Sequence, residues 1–209
     1  SASQQGIVSN TPLTFYNYNF GSAGSTITID GPNTYNNMTI SGVNAAVTIF
    51  RSNSFNNLTI AGKTAVGVKT IVLYEDQTIN GTLTFAAGTN ATMRTMLRSI
   101  TFGTVKKLTC NAVSATDVDF QDITITGAAA PVSGTRLGDC KGNSGITFDV
   151  PKTVYFRKAL AGNWGDSTVW SLTNGGAIDA TAFPLAQDTA VFPSSPIPYP
   201  SSGVTVTVN

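Results

Sequence analysis

Tyr35 to Gly42 (YNNMTISG) recurs twenty residues later as Phe55 to Gly62 (FNNLTIAG), and this repeated stretch decides the fold. Each copy has an aromatic residue, two amides suited to a turn, an alternating apolar and threonine segment suited to a strand, and a glycine. A more degenerate copy follows as Phe120 to Gly127 (FQDITITG). A period of this length is typical of solenoid proteins, in which each repeat stacks on its neighbours.

Other short alternating segments lie between the copies, and each has one apolar face. They are Thr26–Ile29, Val47–Phe50, Thr70–Leu73, Thr82–Phe85 and Leu108–Cys110. Apolar positions recur at spacings of 20 (Met38 to Leu58), 25 (Leu58 to Leu83) and 25 (Leu83 to Leu108). The pattern predicts an all-β protein, with about five coils of a parallel β-helix stacked about 4.8 Å apart.

Two competing interpretations stay open at this point. An antiparallel β-sandwich also uses short strands with turn signals every 8 to 12 residues, but it has no reason to return the same residues to the same corner. Met93, Met96, Leu97 and Ile100 fall at the spacing of a short helix, which would end at Gly103 as a capping turn. We expect the solenoid, with this segment as a strand or a turn.

Composition excludes several classes of protein. Only 11% of the 209 residues are charged, 41% are apolar, and 12 basic residues balance 11 acidic ones. These values disfavour a disordered polyelectrolyte, a coiled coil and a basic nucleic-acid binder. The chain has 31 Thr and 17 Asn but a single Glu, Glu75, which favours strands and turns over helices.

The sequence lacks residues and motifs that most enzyme mechanisms need. It has no His, no glycine-rich phosphate loop and no Gly-x-Ser-x-Gly elbow. We therefore expect a non-enzymatic protein, and we assign no catalytic, cofactor-binding or metal-binding residue and no cofactor.

The two cysteines, Cys110 and Cys140, are too few for disulfide bonds to hold a chain of this length together. Neither has a Cys or His nearby in sequence that would complete a zinc site. Free, buried thiols are expected, with a disulfide as the alternative. The start of the sequence resembles neither a signal peptide nor a membrane span. Gly203 to Asn209 (GVTVTVN) alternates like a strand. A strand there needs a neighbour, so we expect further protein or a partner chain beyond it.

Several segments resemble β-solenoid segments of bacteriophage structural proteins and of large bacterial surface proteins. These are Met96–Ile100, Leu108–Ala112, Asp117–Ile123 and Gly138–Phe148. Gly162 to Ser171 (GNWGDSTVWS), with Gly175, Gly176, Pro184 and Asp188 to Phe192 (DTAVF), resembles the Trp-rich spacer between such segments. The resemblance covers about half of the chain. It implies a modular, elongated and usually trimeric component of a particle.

The sequence divides into two predicted regions. Residues 1–150 form the β-solenoid, and residues 151–209 form a connector. In the connector, Trp164 and Trp170 anchor a small cluster, Phe192 to Pro200 (FPSSPIPYP) is stiff and extended, and Val204 to Val208 start a further strand layer.

Asp117 and Asp119 are the residues that most resemble a catalytic or metal-binding pair. Two apart in an extended stretch, their carboxylates would share one face about 6 to 7 Å apart. That separation suits a calcium site or the two carboxylates of a glycosidase. Asp122 follows on the opposite parity. An ordinary solvated strand face is the interpretation we favour.

The remaining polar and aromatic groups have both a structural and a functional interpretation. Asn36, Asn37, Asn56 and Asn57 predict a stacked amide ladder, with a glycan-contacting row as the alternative. The basic residues Arg94, Arg98, Lys106 and Lys107 predict a subunit interface or a solvated patch rather than a phosphate site. Tyr16, Tyr18 and Phe20 predict one aromatic sheet face, packed by a neighbouring subunit or stacked on sugars.

Together these features predict a structural or attachment component of a bacteriophage virion, such as a tail fibre, tail spike or decoration protein. Its expected partners are other copies of itself, most often as a homotrimer, other virion proteins and a host surface glycan, without nucleic acid or membrane. One alternative is a bacterial cell-surface adhesin. The other is a β-helix polysaccharide depolymerase that uses Asp117 and Asp119.

Overall fold

The structure is a computed structural model that describes residues 5–21, 26–43, 46–65, 67–157, 162–193 and 206–207. These residues contain strands and turns and no α-helix. None of them belongs to a helix long and apolar enough to cross a membrane.

Two parallel sheets form most of the molecule. Sheet 1 has seven strands, in the order β1 (Gln5–Val8), β3 (Thr26–Asp30), β5 (Ala46–Ile49), β7 (Gly67–Leu73), β9 (Met93–Ser99), β11 (Val118–Gln121) and β13 (Gly138–Asp139). Sheet 2 has six, in the order β2 (Thr14–Phe20), β4 (Thr34–Ile40), β6 (Ser54–Ile60), β8 (Gln77–Phe85), β10 (Lys106–Ala115) and β12 (Ile123–Thr126). The chain alternates between the sheets, so that each pair of strands makes one turn.

This arrangement confirms the predicted β-solenoid and has about six turns. The antiparallel sandwich is wrong, because every strand of both sheets pairs in parallel with its neighbours. Apolar side chains from the inner faces of both sheets form one continuous buried core between them. The alternating strands thus bury one face and leave threonine and asparagine on the other.

The twenty-residue repeat is confirmed where it is strongest and fails further along. Met38 pairs with Leu58, and Leu58 pairs with Leu83. Leu83 pairs with Val113, however, and not with the predicted Leu108. Leu108 lies five residues earlier on the ten-residue strand β10, opposite the start of β8. Inward positions recur every two residues, so spacing alone did not identify the partner.

The degenerate copy at Phe120 does not occupy the same place as the first two. Phe120 lies in β11 of sheet 1, whereas Ile123 begins β12 in sheet 2. The chain turns between the sheets at Asp122, which has a positive φ of 54°. The same residue pattern therefore spans a corner here rather than one strand.

The possible short helix at Met93 is wrong. Met93 to Ser99 form β9, in which Thr95 and Leu97 face the core. The parallel neighbours β7 and β11 pair with the backbone of this segment on its two sides. Tertiary pairing has overridden the helical spacing of a segment only two turns long.

The connector folds around a second apolar cluster. Its strands are β14 (Thr153–Phe156), β16 (Trp170–Ser171) and β17 (Thr189–Val191), which form one sheet. A second small sheet joins β15 (Gly162–Asn163) to β18 (Val206–Thr207) in parallel. Ala91 of the solenoid belongs to the connector's apolar cluster, so the two regions share packed contacts. The boundary at residue 150 stays a prediction.

Candidate functional site

Asp117 and Asp119, the sequence's candidate acidic pair, lie where the solenoid meets the connector. Asp117 follows β10, has a positive φ of 59° and is only 1% exposed. Asp119 lies in β11 with its side chain 14% exposed. The predicted solvated face is therefore wrong for both carboxylates, because Arg94 and Arg136 from neighbouring coils engage them and the Gly88 N–H donates to Asp117 Oδ2 at 3.2 Å.

Arg94 of β9 holds both aspartates. Its Nε donates to the two carboxylate oxygens of Asp119 at 2.9 and 2.8 Å, and its Nη2 donates to Asp119 Oδ1 at 2.7 Å. Nη1 lies 3.7 Å from Asp117 Oδ1 and donates to the Ala91 carbonyl at 3.3 Å. Bidentate pairing of this kind is the strongest geometry available to a guanidinium and a carboxylate.

A second arginine completes the cluster. Arg136 Nε donates to Asp117 Oδ1 at 2.6 Å and its Nη2 donates to Asp117 Oδ2 at 3.0 Å. The hydrogen bond with Asp117 raises the pKa of the Arg136 guanidinium above its usual value. Arg94 Nη2 donates to the Arg136 carbonyl at 2.7 Å, which closes the network. We call Arg94, Asp117, Asp119 and Arg136 the Arg94 cluster.

Guanidinium groups donate hydrogen bonds to both carboxylates of the Arg94 cluster. These carboxylates are therefore poorer metal ligands, and poorer candidates for the acid and the nucleophile of a glycosidase. Asp122, the third candidate, accepts from the Gly103 N–H at 2.9 Å in a separate turn. Among the described residues no three His, Cys, Asp or Glu side chains come together in a way that would hold a metal.

A cleft of about 560 Å³ lies beside the Arg94 cluster, between sheet 1 and the connector. Its walls are mainly apolar and include Val68, Trp164, Phe183 and Leu185. Asp188, also at the wall, pairs with Lys152 Nζ and accepts from the Leu185 N–H at 2.9 Å. The charged groups of the cleft are thus occupied by partners within the chain.

The cysteines are free, as expected, and not disulfide-bonded. Cys110 faces the core, and burial raises the pKa of its thiol to about 12. Cys140 is half-buried in the wall of the cleft, and its pKa rises to about 11, chiefly through burial. Both thiols are therefore protonated at neutral pH and are weak nucleophiles.

The predicted tryptophan anchor is confirmed. The rings of Trp164 and Trp170 lie 5.0 Å apart at 70°, and Trp170 Nε1 donates to the Trp164 carbonyl at 3.0 Å. The Pro-rich run lies outside the described residues beyond 193. Of the predicted terminal strand, Val206 and Thr207 are described, and they pair with Gly162 and Asn163 of the same chain.

The four basic residues do not form one patch. Arg94 is buried in its cluster, and Arg98 donates to the carbonyl of its neighbour Ser99 at 3.0 Å. Lys106 pairs with Glu75, and Lys107 pairs with Asp76. The prediction of a common solvated patch is wrong, because Arg94 is buried against Asp119 and the two lysines lie on β10 of the other sheet. A subunit interface stays a prediction.

Tyr16, Tyr18 and Phe20 also fail to share one face. Tyr16 is 77% exposed, Tyr18 is half-buried and Phe20 is buried. Tyr16 and Asn17 both point outward, because β2 bends between Phe15 and Tyr18. The next two coils have their paired asparagines at this same corner. That bend shifts the alternation by one residue.

The predicted amide ladder is confirmed and is longer than expected. Asn57 Nδ2 donates to Asn37 Oδ1 at 2.9 Å, and Asn37 Nδ2 donates to Asn17 Oδ1 at 2.8 Å. A parallel row joins Asn56 Nδ2 to Asn36 Oδ1 at 3.3 Å. Neighbouring coils are therefore tied by side-chain bonds along the rod, outside the backbone ladder.

A second, buried amide ladder was missed in the sequence. The Asn33 N–H donates to Asn53 Oδ1 at 3.2 Å, and the Asn53 N–H donates to Gln77 Oε1 at 3.0 Å. All three side chains are buried at the turn that precedes a strand of sheet 2. Their common place, directly before Thr34, Ser54 and Thr78, was the available signal.

Lys69 is a buried cation that sequence reasoning also missed. Its side chain is 1% exposed, faces the core from β7 and donates to the Ala61 carbonyl at 3.1 Å. Burial, with a smaller contribution from the nearby positive charge of Lys63, lowers the pKa of Lys69 to about 8. Below that pH Lys69 is positively charged in both states, but its charge is desolvated in the folded protein and hydrated in the unfolded chain.

We expect Lys69→Met to stabilise the protein in a way that depends on pH. Between the folded pKa of about 8 and the ordinary value of 10.5, the unfolded chain binds more protons, so wild-type stability rises with pH. The variant should gain about 3 kcal/mol at pH 7 and about half of that at pH 9.5. Urea unfolding at both pH values measures the difference. Lys107→Met, at an exposed site, is the control, and a gain that does not change with pH would refute the assignment.

Comparison with protein-family models, curated proteins and solved structures finds no significant match to this chain.

Proposed function

We propose that this protein is a non-enzymatic structural or attachment component of a bacteriophage particle, such as a tail fibre, tail spike or decoration protein. The observation that carries the proposal is the set of continuous ladders along the solenoid. Backbone pairs, stacked rings and side-chain amides all connect the same neighbouring coils. A rod whose neighbouring coils are joined by three kinds of contact resists bending and local opening, and this suits a protein that bears mechanical load.

The stacked rings show how closely the coils repeat. The ring of Tyr35 lies 5.0 Å from that of Phe15 and 5.1 Å from that of Phe55, and both pairs are nearly parallel at 10°. These spacings match the separation of adjacent strands in a sheet. The aromatic positions of the repeat therefore serve the rod, and we propose that its exposed amide and threonine rows meet partners.

The charge arrangement supports a non-enzymatic role. The acidic pair that resembles a glycosidase site is held by Arg94 and Arg136. We therefore propose that the protein binds a host surface glycan without cleaving it. Its other proposed partners are virion proteins and copies of itself.

Two experiments test this proposal. Antibodies raised against the chain should label phage particles of the source culture by immunogold microscopy. Label confined to uninfected cell surfaces would favour the adhesin and overturn the virion role.

The second experiment measures reducing ends released from purified bacterial capsule and O-antigen polysaccharides. We expect no release above the buffer blank. Release that Asp119→Asn abolishes, with the fold intact by circular dichroism, would favour the depolymerase instead.

A further inference from the structure

We infer that Asn174 is a site of spontaneous deamidation, in a β-turn of the connector. The chain has a second Asn-Gly pair, Asn80-Gly81 in the solenoid, and the fold protects that pair from the same reaction. This inference concerns the chemistry of the chain itself and is independent of the proposed function.

The reaction closes a succinimide ring on the asparagine side chain. The backbone nitrogen of the next residue loses its proton and bonds to the side-chain Cγ, and the Cγ–Nδ2 bond breaks to release ammonia. Water then opens the ring at either carbonyl, which leaves aspartate or isoaspartate. Glycine hinders this ring closure least, because it has no Cβ and its backbone rotates freely. Since both pairs are Asn-Gly, the folded structure decides which of them reacts.

Asn174 occupies the second position of a β-turn. The Gly176 N–H donates to the Thr173 carbonyl at 3.0 Å and closes this turn. Gly175 has a positive φ of 77°, as the third position of a type II turn requires. Type I and type II turns differ by a flip of the peptide between their two central residues. That flip moves the Gly175 nitrogen relative to the Asn174 side chain, and it does not require the turn to open.

The two groups that react are accessible at this turn. The Asn174 side chain is exposed. Among the residues that the structure describes, none forms a hydrogen bond with that side chain or with the Gly175 N–H. Arg157 Nε donates to the Gly176 carbonyl at 2.9 Å, which anchors the end of the turn. The centre of the turn, where the ring forms, is not restrained in this way.

Asn80, by contrast, is held within a sheet. Asn80 and Gly81 lie inside β8, which pairs with β6 on one side and with β10 on the other. Asn80 Nδ2 donates to Ser54 Oγ at 3.2 Å. A Cβ added at Gly81 would lie 2.5 Å from the Asn56 carbonyl oxygen, so the backbone there is closely packed. Ring closure at Asn80 therefore requires β8 to open locally.

Incubation of the full chain at mildly alkaline pH tests the inference, because the attacking nitrogen must lose its proton. Peptide mapping by mass spectrometry measures aspartate and isoaspartate at each site. In the native protein we expect conversion at Asn174 to be at least about tenfold faster than at Asn80, which must wait for the strand to open. In guanidinium chloride, where the sheet is absent, the two rates should become similar.

Two variants show whether the acidic product comes from this turn. Deamidation removes the formal net charge of +1, so isoelectric focusing separates the product. Asn174→Gln should abolish most of this acidic form, because the longer side chain must close a larger ring. Asn80→Gln, at another exposed side chain, is the matched control and should leave its amount unchanged. Circular dichroism checks that both variants fold.

Three results would each overturn the inference. The first is an Asn174 that stays intact in the native protein. The second is conversion of Asn80 and Asn174 at equal rates in the native protein. The third is an acidic form whose amount Asn174→Gln leaves unchanged.

Discussion

Replacement of Arg94 by methionine is expected to lower the free energy of unfolding by about 4 kcal/mol, because it leaves the carboxylate of Asp119 without its cation. In the wild type, the Arg94 side chain is 4% exposed and makes three hydrogen bonds to the carboxylate of Asp119. For a chain of this size, such a loss lowers the melting temperature by about 12 °C. Thermal and urea unfolding followed by circular dichroism measure it.

Arg98→Met is the matched control for this prediction. Arg98 lies on the same strand, and its Nη1 donates to the carbonyl of the adjacent Ser99. We expect its substitution to cost less than about 1 kcal/mol. The double variant Arg94→Met with Asp119→Asn should lose less than the two single variants together, because each has already broken the same pair. Additive losses would show that Arg94 acts through packing and not through Asp119.

Asn53→Ala is expected to cost about 3 kcal/mol, because one buried N–H and two partly buried carbonyls each lose a hydrogen bond at once. Asn53 Nδ2 donates to the carbonyls of Phe50 and Arg51, both at 3.0 Å, and its Oδ1 accepts from the Asn33 N–H. The bond from the Asn33 N–H is buried, and the two carbonyl bonds are partly buried. Urea unfolding measures the cost.

Asn56→Ala is the control, since it removes the same side chain three residues away. Its one hydrogen bond, to Asn36 at 3.3 Å, is exposed, so we expect a loss of less than about 0.5 kcal/mol. Asn53→Asp keeps the volume but cannot donate to the two carbonyls, and we expect it to be as costly as Asn53→Ala. Equal stability of the Asn53→Ala and Asn56→Ala variants would refute the structural role of the buried ladder.

The parts of the fold that the sequence predicted are those in which one residue position repeats along the rod. Tyr35, Phe55 and their amide neighbours recur at one spacing, and parallel stacking in register places them on one another. The prediction failed from Leu83 onward. There β10 is longer and carries an irregularity between Cys110 and Ala112, so equal spacing no longer means equal register.

The candidate site was less predictable from the sequence than the repeating part of the fold. Asp117 and Asp119 were correctly singled out, but their partner Arg94 is 25 residues from Asp119 in sequence, and Arg136 is 19 residues from Asp117. Nothing local in the sequence links them. Arginines from two neighbouring coils meet these carboxylates, which turned an expected solvated face into a buried ionic cluster.

The sequence by itself determined the class of fold. Alternating apolar residues, paired amides and a regular period are local properties, and parallel stacking places equivalent residues of successive coils on one another. Only the tertiary structure decided which charges meet and which amides are buried. Those features depend on side chains brought together from separate coils, and no local pattern in the sequence encodes that pairing.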